Sequence, residues 1–382
     1  MEKTTKKIFV LKNYKKTSKT ATILLVCVLF LCIFGCIMVY SASSYSAQKH
    51  YGNEYFFLTK QIAGVVVGFI GLIFFYFFDY NILKKFKWPI YVFAVITLLL
   101  VFVPGIGIEN YGARRWVSIL GFSFQPSEFA KFALILFGAC ELSKNYKTIK
   151  SFKSIIKFLC IGGLLCLLII LEPNMSVTMC MGFTLVFMLI VGGMSKKHFS
   201  LLAIPACALV PLLILIEPYR MKRLVAFIDP WANPQGEGFQ LIQSLYALGN
   251  GGLFGVGLFN SRQKYLFLPF SESDFIFSII GEELGFVGTI IIMAIFVTIV
   301  ICIVKIALNA ESRFASLLCM GIAILIGVQV AINIAVVTGS IPPTGLPLPF
   351  ISAGSTSLLV FMSAIGVVLN VDRQSRKSTT LN

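Results

Sequence analysis

The residue whose type and position best suit it to take part in a chemical reaction is Asp274, a carboxylate beside a long apolar segment. It follows the polar stretch 217–273 and precedes the apolar stretch 278–300, which is long enough to cross a membrane as a helix. Asp favours helix N-caps and the positive end of the helix dipole, so capping is one interpretation. The other is catalysis, because a carboxylate on a rigid element can act as a general base.

Basic residues form three clusters on segments that are predicted to lie on the extracytoplasmic side of the membrane. Their members are Arg114 and Arg115; Arg220, Lys222 and Arg223; and Arg262 and Lys264. Arg presents a planar fork of donors that matches phosphate, so the clusters are predicted to bind an anion such as phosphate or diphosphate. The alternative is that these side chains extend along the lipid interface towards the head groups.

A further pair of charges, Glu128 and Lys131, lies near the start of another apolar segment. Residues at this spacing share one face of a helix and can pair. Charges inside a membrane helix usually face the protein interior. A structural ion pair is the first interpretation, and a pair that lines a cavity and contacts substrate is the alternative.

Helical geometry places Asp274 on a face of small residues. The residues within roughly 40° of it on a helical wheel are Ser278, Gly281, Gly285 and Gly288. Such faces let helices approach closely in membranes, so Asp274 is predicted to point into the helix bundle. Glu282 and Glu283 lie deeper, and we expect them to be structural, either paired or protonated.

The composition indicates a membrane protein. Of the 382 residues, 58% are hydrophobic, against roughly 45–50% in soluble domains, and they fall in blocks of roughly 20. The net charge is +16, yet 22 of the 32 Lys and Arg lie on alternating loops and tails. This is the positive-inside pattern, so the charge does not indicate nucleic-acid binding.

The predicted fold class is all-α, with about ten transmembrane helices, one large extracytoplasmic loop and both termini in the cytoplasm. An even number of spans keeps the two basic tails on the same side of the membrane. The predicted parts are a basic cytoplasmic tail (1–20), a single transmembrane domain (21–371) with its large loop at 217–273, and a cytoplasmic tail (372–382). The predicted spans lie at about 21–40, 56–78, 89–104, 126–140, 155–171, 175–191, 199–216, 274–304 and 315–337, with the tenth ending near 371.

Several kinds of site are not expected. The ten Cys lie within or beside apolar segments without metal-ligand spacing, so they are predicted to be apolar fillers and not a disulfide framework. The two His are far apart, which argues against a His-based metal site or triad. The Gly-rich run 251–257 lacks the strand–turn–helix context of a nucleotide site, so no nucleotide is predicted. We expect this run to bend or to lie close to a ligand.

Several motifs occur in order along the chain. They are 112–116 (Gly-Ala-Arg-Arg-Trp), 125–128 (Gln-Pro-Ser-Glu), 238–240 (Gly-Phe-Gln) with 243–244 (Gln-Ser), 251–257, 274–277 (Asp-Phe-Ile-Phe), 281–285 (Gly-Glu-Glu-Leu-Gly) and 342–345 (Pro-Pro-Thr-Gly). Together they resemble the SEDS family (shape, elongation, division and sporulation), whose members include FtsW, RodA and SpoVE. The similarity covers nearly the whole chain after residue 20, and 229–231 and 260–264 resemble the division and sporulation branch more than RodA.

The resemblance implies a peptidoglycan glycosyltransferase that polymerises lipid II at the outer face of the bacterial cytoplasmic membrane and releases undecaprenyl diphosphate. It also implies a class B penicillin-binding protein, which is a transpeptidase, as partner, together with other division proteins and a divalent metal ion, Mg or Mn. Asp274 matches the essential loop aspartate of the family. The basic clusters, the charged pair and the motifs together predict these substrate-binding residues: Arg114, Arg115, Trp116, Glu128, Lys131, Arg220, Arg223, Gln240, Gln243 and Lys264.

The chain departs from the family pattern at four places. Phe270 stands where the family usually has Glu, Glu272 where it has His, and Asn174 where it has Asp. The stretch 353–355 (Ala-Gly-Ser) replaces the usual Tyr-Gly-Gly. Two other functions stay open: a lipid II flippase, which needs a polar path to the inner face, and a non-catalytic division scaffold, which would tolerate loss of Asp274.

Overall fold

The computed structural model describes residues 18–110, 113–119, 121–144, 152–202 and 218–378, and these are mostly helical. The helices are α1 (Lys19–Tyr51), α2 (Phe56–Phe77), α3 (Tyr80–Leu83), α4 (Lys87–Leu100), α5 (Pro126–Lys144), α6 (Phe152–Leu171), α7 (Met175–Val191), α8 (Pro218–Ile228), α9 (Phe239–Gly251), α10 (Ile276–Leu308), α11 (Arg313–Val337) and α12 (Ser355–Ser378). Most of the predicted tail 1–20, the inner loop 145–151 and most of the predicted span 199–216 lie outside the described residues.

The described helices confirm a multi-pass membrane protein. Among them, α1, α2, α10, α11 and α12 are long and apolar enough to cross a membrane. The helices α4, α6 and α7 are shorter and apolar as well. The count of ten spans and the side on which each loop lies stay predictions.

The segment between α4 and α5 contains a small antiparallel sheet, so the all-α prediction was wrong there. Its strands are β1 (Gly107–Asn110), β2 (Ala113–Ile119) and β3 (Phe122–Phe124), in spatial order β1-β2-β3. Glu109 pairs with Arg114 and Ile108 with Trp116, which leaves Arg115 as the extra residue of a β-bulge. The β-branched and aromatic residues of β2 and β3 favour strands over helix.

The helix α10 is broken at Gly285, whose φ is 68°. The backbone groups that the break releases are bound by the Gly-rich run 251–257. Val256 N donates to Glu282 O at 2.9 Å and Gly257 N to Glu283 O at 3.0 Å, while Phe286 N donates to Gly252 O at 2.9 Å. A membrane helix tolerates such a break only where its polar groups find partners. The close approach predicted for this run is therefore to a helix backbone.

The two acidic residues before the break are buried, as predicted. Glu282 accepts hydrogen bonds from the Ser261 hydroxyl and, at 3.3 Å, from Gln263 N. Glu283 accepts from Ser41 Oγ at 2.6 Å and lies 3.5 Å from Lys264 Nζ. Both carboxylates are fully buried, and their contacts join residues 261–264 of the large loop to the second turn of α10.

The small-residue face of α10 receives α9. Ser278 Oγ lies 2.8 Å from Ser244 Oγ, and the Ser244 hydroxyl also donates to Val337 O of α11 at 2.7 Å. The close helix approach predicted from small residues is confirmed. These contacts hold α9, α10 and α11 together directly below the segment that carries Asp274.

Candidate active site

Asp274 lies outside the helix that follows it. The first helical residue is Ile276, the N-cap position is Phe275, and no side chain makes a capping hydrogen bond there. The capping interpretation is therefore wrong, because Asp274 is one residue too early to bind the released N–H groups. Its side chain is partly buried.

Backbone contacts fix the position of Asp274. Asn333 Nδ2 of α11 donates to Asp274 O at 2.8 Å and to Leu346 O at 2.7 Å. The Ser352 hydroxyl donates to Ser273 O at 2.6 Å. Two buried polar side chains from the end of the chain thus hold the segment before α10, which is the rigid support that a catalytic carboxylate needs.

Gly345 packs directly against the Asp274 carboxylate. A Cβ atom at this position would lie 2.7 Å from Asp274 Oδ2, which is too close for any other residue to fit without movement. Gly345 N also donates to Ser176 Oγ of α7 at 3.0 Å. The segment 342–349 therefore forms one wall of the site and joins Asp274 to the start of α7.

The charges of other side chains act on the Asp274 carboxylate. Burial raises the pKa of Asp274 to about 6; the Arg115 charge opposes this, the Glu272 charge adds to it, and the Arg223 charge opposes it. The pKa of Asp274 therefore lies above its usual value but below neutral pH. Such a carboxylate is ionised at pH 7 and accepts a proton more readily than an exposed Asp, as a general base requires.

The first basic cluster divides at the β-bulge. Arg114 is exposed, and its Nε donates to Glu109 Oε2 at 3.1 Å. Arg115, the bulged residue, donates from Nη2 to Pro173 O, in the turn between α6 and α7, and its charge acts on Asp274. Bulges re-aim side chains, so only one member of this cluster is directed at the site. Trp116 is partly buried on the same strand.

The second cluster contributes Arg223 from α8. Its Nη1 donates to Pro343 O at 2.7 Å, which places the guanidinium on the same wall as Gly345. Lys222 is exposed, and the side chain of Arg220 lies outside the described residues. Gln240 and Gln243 are half-buried on α9, and their contact with substrate stays a prediction.

Glu128 and Lys131 form the predicted ion pair on α5. Lys131 Nζ lies 2.7 Å from Glu128 Oε1, and both side chains are at most 1% exposed. Lys131 Nζ also donates to Gln329 Oε1 at 2.8 Å, and Gln329 Nε2 donates to Pro347 O at 2.8 Å. The pair is thus linked through α11 to the wall segment 342–349, which supports the structural interpretation.

Lys264 is placed differently from its predicted role. Its side chain is buried, its Nζ lies 3.5 Å from Glu283 Oε1, and it donates to Phe259 O. Removing a buried partner from such a pair leaves an uncompensated charge, so this Lys stabilises the loop. A contact between Lys264 and substrate stays a prediction that these contacts do not support.

The comparisons with known proteins show the family of the chain. Residues 21–377 match the family model FtsW/RodA/SpoVE, described as cell cycle protein. The chain belongs to this family. It is 41% identical to stage V sporulation protein E of Bacillus subtilis over 363 residues, which is 95% of this chain and 99% of that protein. It is 40% identical to the probable peptidoglycan glycosyltransferase FtsW of Geobacter sp. over 355 residues, 93% of this chain and 96% of that protein.

Solved structures share the fold of this family member. One is a chain of a peptidoglycan synthase complex, described for its structural coordination of polymerization and crosslinking. The TM-score is 0.74 and the identity 27%, and the match covers 92% of this chain and 97% of that chain. The rod shape determining protein RodA of Thermus thermophilus gives a TM-score of 0.66 with 23% identity, over 95% of this chain and 99% of that one. The similarity to RodA of Thermus thermophilus shows only that the two proteins share a fold.

Sequence reasoning missed Glu172. This acid is 1% exposed in the turn between α6 and α7, and the Arg115 charge acts on it. The signal was a charged residue in an otherwise apolar stretch, two residues before Asn174. Asn333 and Gln329, buried amides inside the apolar α11, were missed as well. They position the site through backbone contacts that one sequence does not reveal.

The described residues do not build a metal site by themselves. Among them, no three His, Cys, Asp or Glu side chains gather closely enough to hold an ion. The charges of two Arg side chains, Arg115 and Arg223, also act on Asp274, and they disfavour a further cation beside it. A metal ion would therefore need ligands from outside this set of residues.

Proposed function

We propose that this chain is a peptidoglycan glycosyltransferase that polymerises lipid II into glycan strands at the outer face of the bacterial cytoplasmic membrane, in cell division or sporulation. The observation that carries the proposal is a carboxylate, Asp274, that is held by α11 and acted on by two guanidinium groups. The names of its relatives, a probable peptidoglycan glycosyltransferase and a stage V sporulation protein, support it.

In the proposed reaction, Asp274 is the general base. A sugar 4-hydroxyl attacks the anomeric carbon of a lipid-linked saccharide, and its proton passes to the Asp274 carboxylate. The bond between the anomeric carbon and the diphosphate oxygen breaks, and undecaprenyl diphosphate leaves with the electron pair. A base within hydrogen-bond reach activates the hydroxyl, and positive charge placed at the diphosphate stabilises the leaving group.

Arg115 and Arg223 are the basic residues that we assign to the diphosphate. Both act on Asp274, and each is anchored by a backbone carbonyl, Pro173 O for Arg115 and Pro343 O for Arg223. A guanidinium that is held in place loses less freedom when it binds phosphate. Arg114 is exposed and paired with Glu109, so we assign it to the edge of the substrate site and not to the diphosphate.

A divalent metal ion, Mg or Mn, is proposed only as an ion that binds together with the diphosphate of the substrate. Mg²⁺ is commonly bound by substrate phosphates with one or two carboxylates, so an ion carried by the diphosphate needs few protein ligands. Such an ion would supply further positive charge to the leaving group. No nucleotide is part of the proposed reaction.

The proposed topology has ten spans, both termini in the cytoplasm, and the large loop 217–273 with Asp274 on the extracytoplasmic side. The alternation of Lys and Arg along the sequence supports this arrangement. The proposed domain is 21–371, with tails at 1–20 and 372–382. The active site then faces the compartment in which cell wall is assembled.

The proposed partner is a class B penicillin-binding protein, a transpeptidase, and other division proteins join the same assembly. The support is the likeness to a chain of a peptidoglycan synthase complex that coordinates polymerization and crosslinking. Glycan strands made here would be the substrate of the crosslinking partner. No nucleic acid is involved.

The direct test uses the purified full chain with lipid II, with and without a class B penicillin-binding protein whose transpeptidase site is blocked. We expect glycan polymers on a gel of labelled products, and more of them with the partner. Lipid II that stays monomeric under both conditions, but crosses vesicle membranes faster when the protein is present, would instead identify a flippase.

A further inference from the structure

A buried acid outside the proposed reaction lies beside the site. Glu172 is the first residue of the turn that follows α6, is 1% exposed, and accepts no hydrogen bond at either carboxylate oxygen from the described residues. Burying an ionised carboxylate without donors is costly, so such a group keeps its proton instead. An acid of this kind therefore holds a proton next to the site.

The residues that directly follow Glu172 are bound to the site. The Pro173 carbonyl accepts the hydrogen bond from Arg115 Nη2. Asn174 caps α7, accepting from Val177 N at 3.4 Å, and Ser176 accepts from Gly345 N beside Asp274. The turn and the Asp274 carboxylate are thus parts of one rigid arrangement.

Arg115 is the charge that acts on Glu172. Burial raises the pKa of Glu172 to about 8, and the Arg115 charge opposes this rise. The other charged groups on elements packed against this turn are tied to their own partners: Lys131 with Glu128 on α5, Lys87 of α4 with Glu141 of α5, and Arg313 of α11 with Gly192 O. The remaining charged groups are Asp274 and two residues whose charges act on it, Glu272 and Arg223.

We propose that Glu172 is a positioning residue that sets the net charge presented by Arg115 to the diphosphate of the substrate. While Glu172 holds its proton, the two side chains together carry one positive charge. When Glu172 releases the proton to solvent, the pair becomes neutral and attracts the diphosphate less. The inference rests on the proposed function and assigns a second acidic group to the same site.

The direction of the pH effect follows from the raised pKa. Glu172 is protonated at neutral pH and loses its proton as the pH rises through about 8. The protonated fraction then falls about tenfold between about pH 7 and about pH 9. The kcat/KM of polymerisation should fall by up to this factor, mainly because KM rises, since the weakened interaction binds substrate.

The test is the pH profile of lipid II polymerisation by the purified chain with its transpeptidase partner. Three proteins are compared: the parent chain, Glu172→Gln, and the control Glu237→Gln, whose acid is exposed in the large loop. Gln keeps the shape of Glu172 in its neutral form and cannot lose the proton. We expect Glu172→Gln to match the parent at about pH 7 and to keep its kcat/KM within about twofold at about pH 9, while the control falls like the parent.

The inference is overturned if Glu172→Gln loses activity above neutral pH as the parent does, or if the parent itself shows no fall. If Glu172→Gln does not insert, Glu172→Asp replaces it, and a fall with a shifted midpoint is then required. Polymerisation by the parent at neutral pH tests the proposed function separately, so failure of one can be told from failure of the other.

Discussion

At the scale of single residues, the site depends on how Asp274 is kept out of the helix that it precedes. The residue type suggested a cap, yet α10 starts at Ile276 and the Asp274 backbone is held by Asn333 instead. The carboxylate is then available to a ligand, and burial raises the pKa of Asp274 to about 6. A sequence indicates that an acid lies near a helix start, but the starting residue depends on tertiary contacts such as that from α11.

The Glu128–Lys131 pair gives a prediction at the same scale. Removing one partner from a buried ion pair typically costs about 3–5 kcal/mol, because the other charge is left uncompensated. We expect Lys131→Ala to lower the thermal stability and the yield of folded protein in detergent. The charge-swapped double variant, with Glu128→Lys and Lys131→Glu, should recover part of the loss.

Lys222→Ala is the matched control for Lys131→Ala, because Lys222 is exposed. It should change stability by no more than about 0.5 kcal/mol. Equal losses in the single and the charge-swapped variants would argue against pairing and for separate contacts with substrate.

At the scale of elements, two irregularities shape the site, and the sequence alone did not show either. The bulge in β2 sends Arg115 towards Asp274 and leaves Arg114 with Glu109. At the break at Gly285, backbone hydrogen bonds join α10 to the Gly-rich run 251–257. The wheel analysis correctly placed Gly285 on a closely packed face, but a helical wheel assumes an unbroken helix. The positive φ of Gly285 is possible because the run 251–257 supplies the backbone hydrogen bonds that the helix loses there.

Gly285→Ala tests the role of this break. A Cβ atom at Gly285 would lie 2.3 Å from Gly255 N, and φ is positive there. We expect the variant to lose stability by at least about 1–3 kcal/mol, the usual cost of a strained backbone, measured as thermal stability of the purified protein.

Gly163→Ala on α6 is the control, since a Cβ there would meet nothing within 4 Å. It should be neutral or stabilising by up to about 1 kcal/mol, because Ala favours helix over Gly. A Gly285→Ala variant as stable as this control would mean that the break is not needed for the fold.

At the scale of the whole molecule, the sequence indicated correctly a mostly helical, multi-pass protein. Helix length and apolar blocks are strong signals because a membrane leaves few other structures possible. The short sheet between α4 and α5 was missed because it lies outside the apolar blocks, where no such constraint applies. The sidedness of the loops rests on the distribution of Lys and Arg and calls for its own experiment.

Accessibility labelling tests that topology. Single cysteines at positions 237 and 147 should react with a membrane-impermeant reagent from opposite sides, position 237 from outside and position 147 only after the membrane is opened. The parent chain is the control, since its ten native Cys lie within or beside apolar segments. Labelling of both positions from the same side would contradict the ten-span topology.

The most direct test of the account is lipid II polymerisation by Asp274→Asn. Asn keeps the size of Asp and its hydrogen-bonding oxygen but cannot accept a proton at neutral pH. General base catalysis typically contributes about 10²–10⁴-fold, so we expect the variant to insert normally, bind the proposed transpeptidase partner, and lose polymerisation by at least about a hundredfold. A variant that forms glycan at nearly the parent rate would show that Asp274 is not the base.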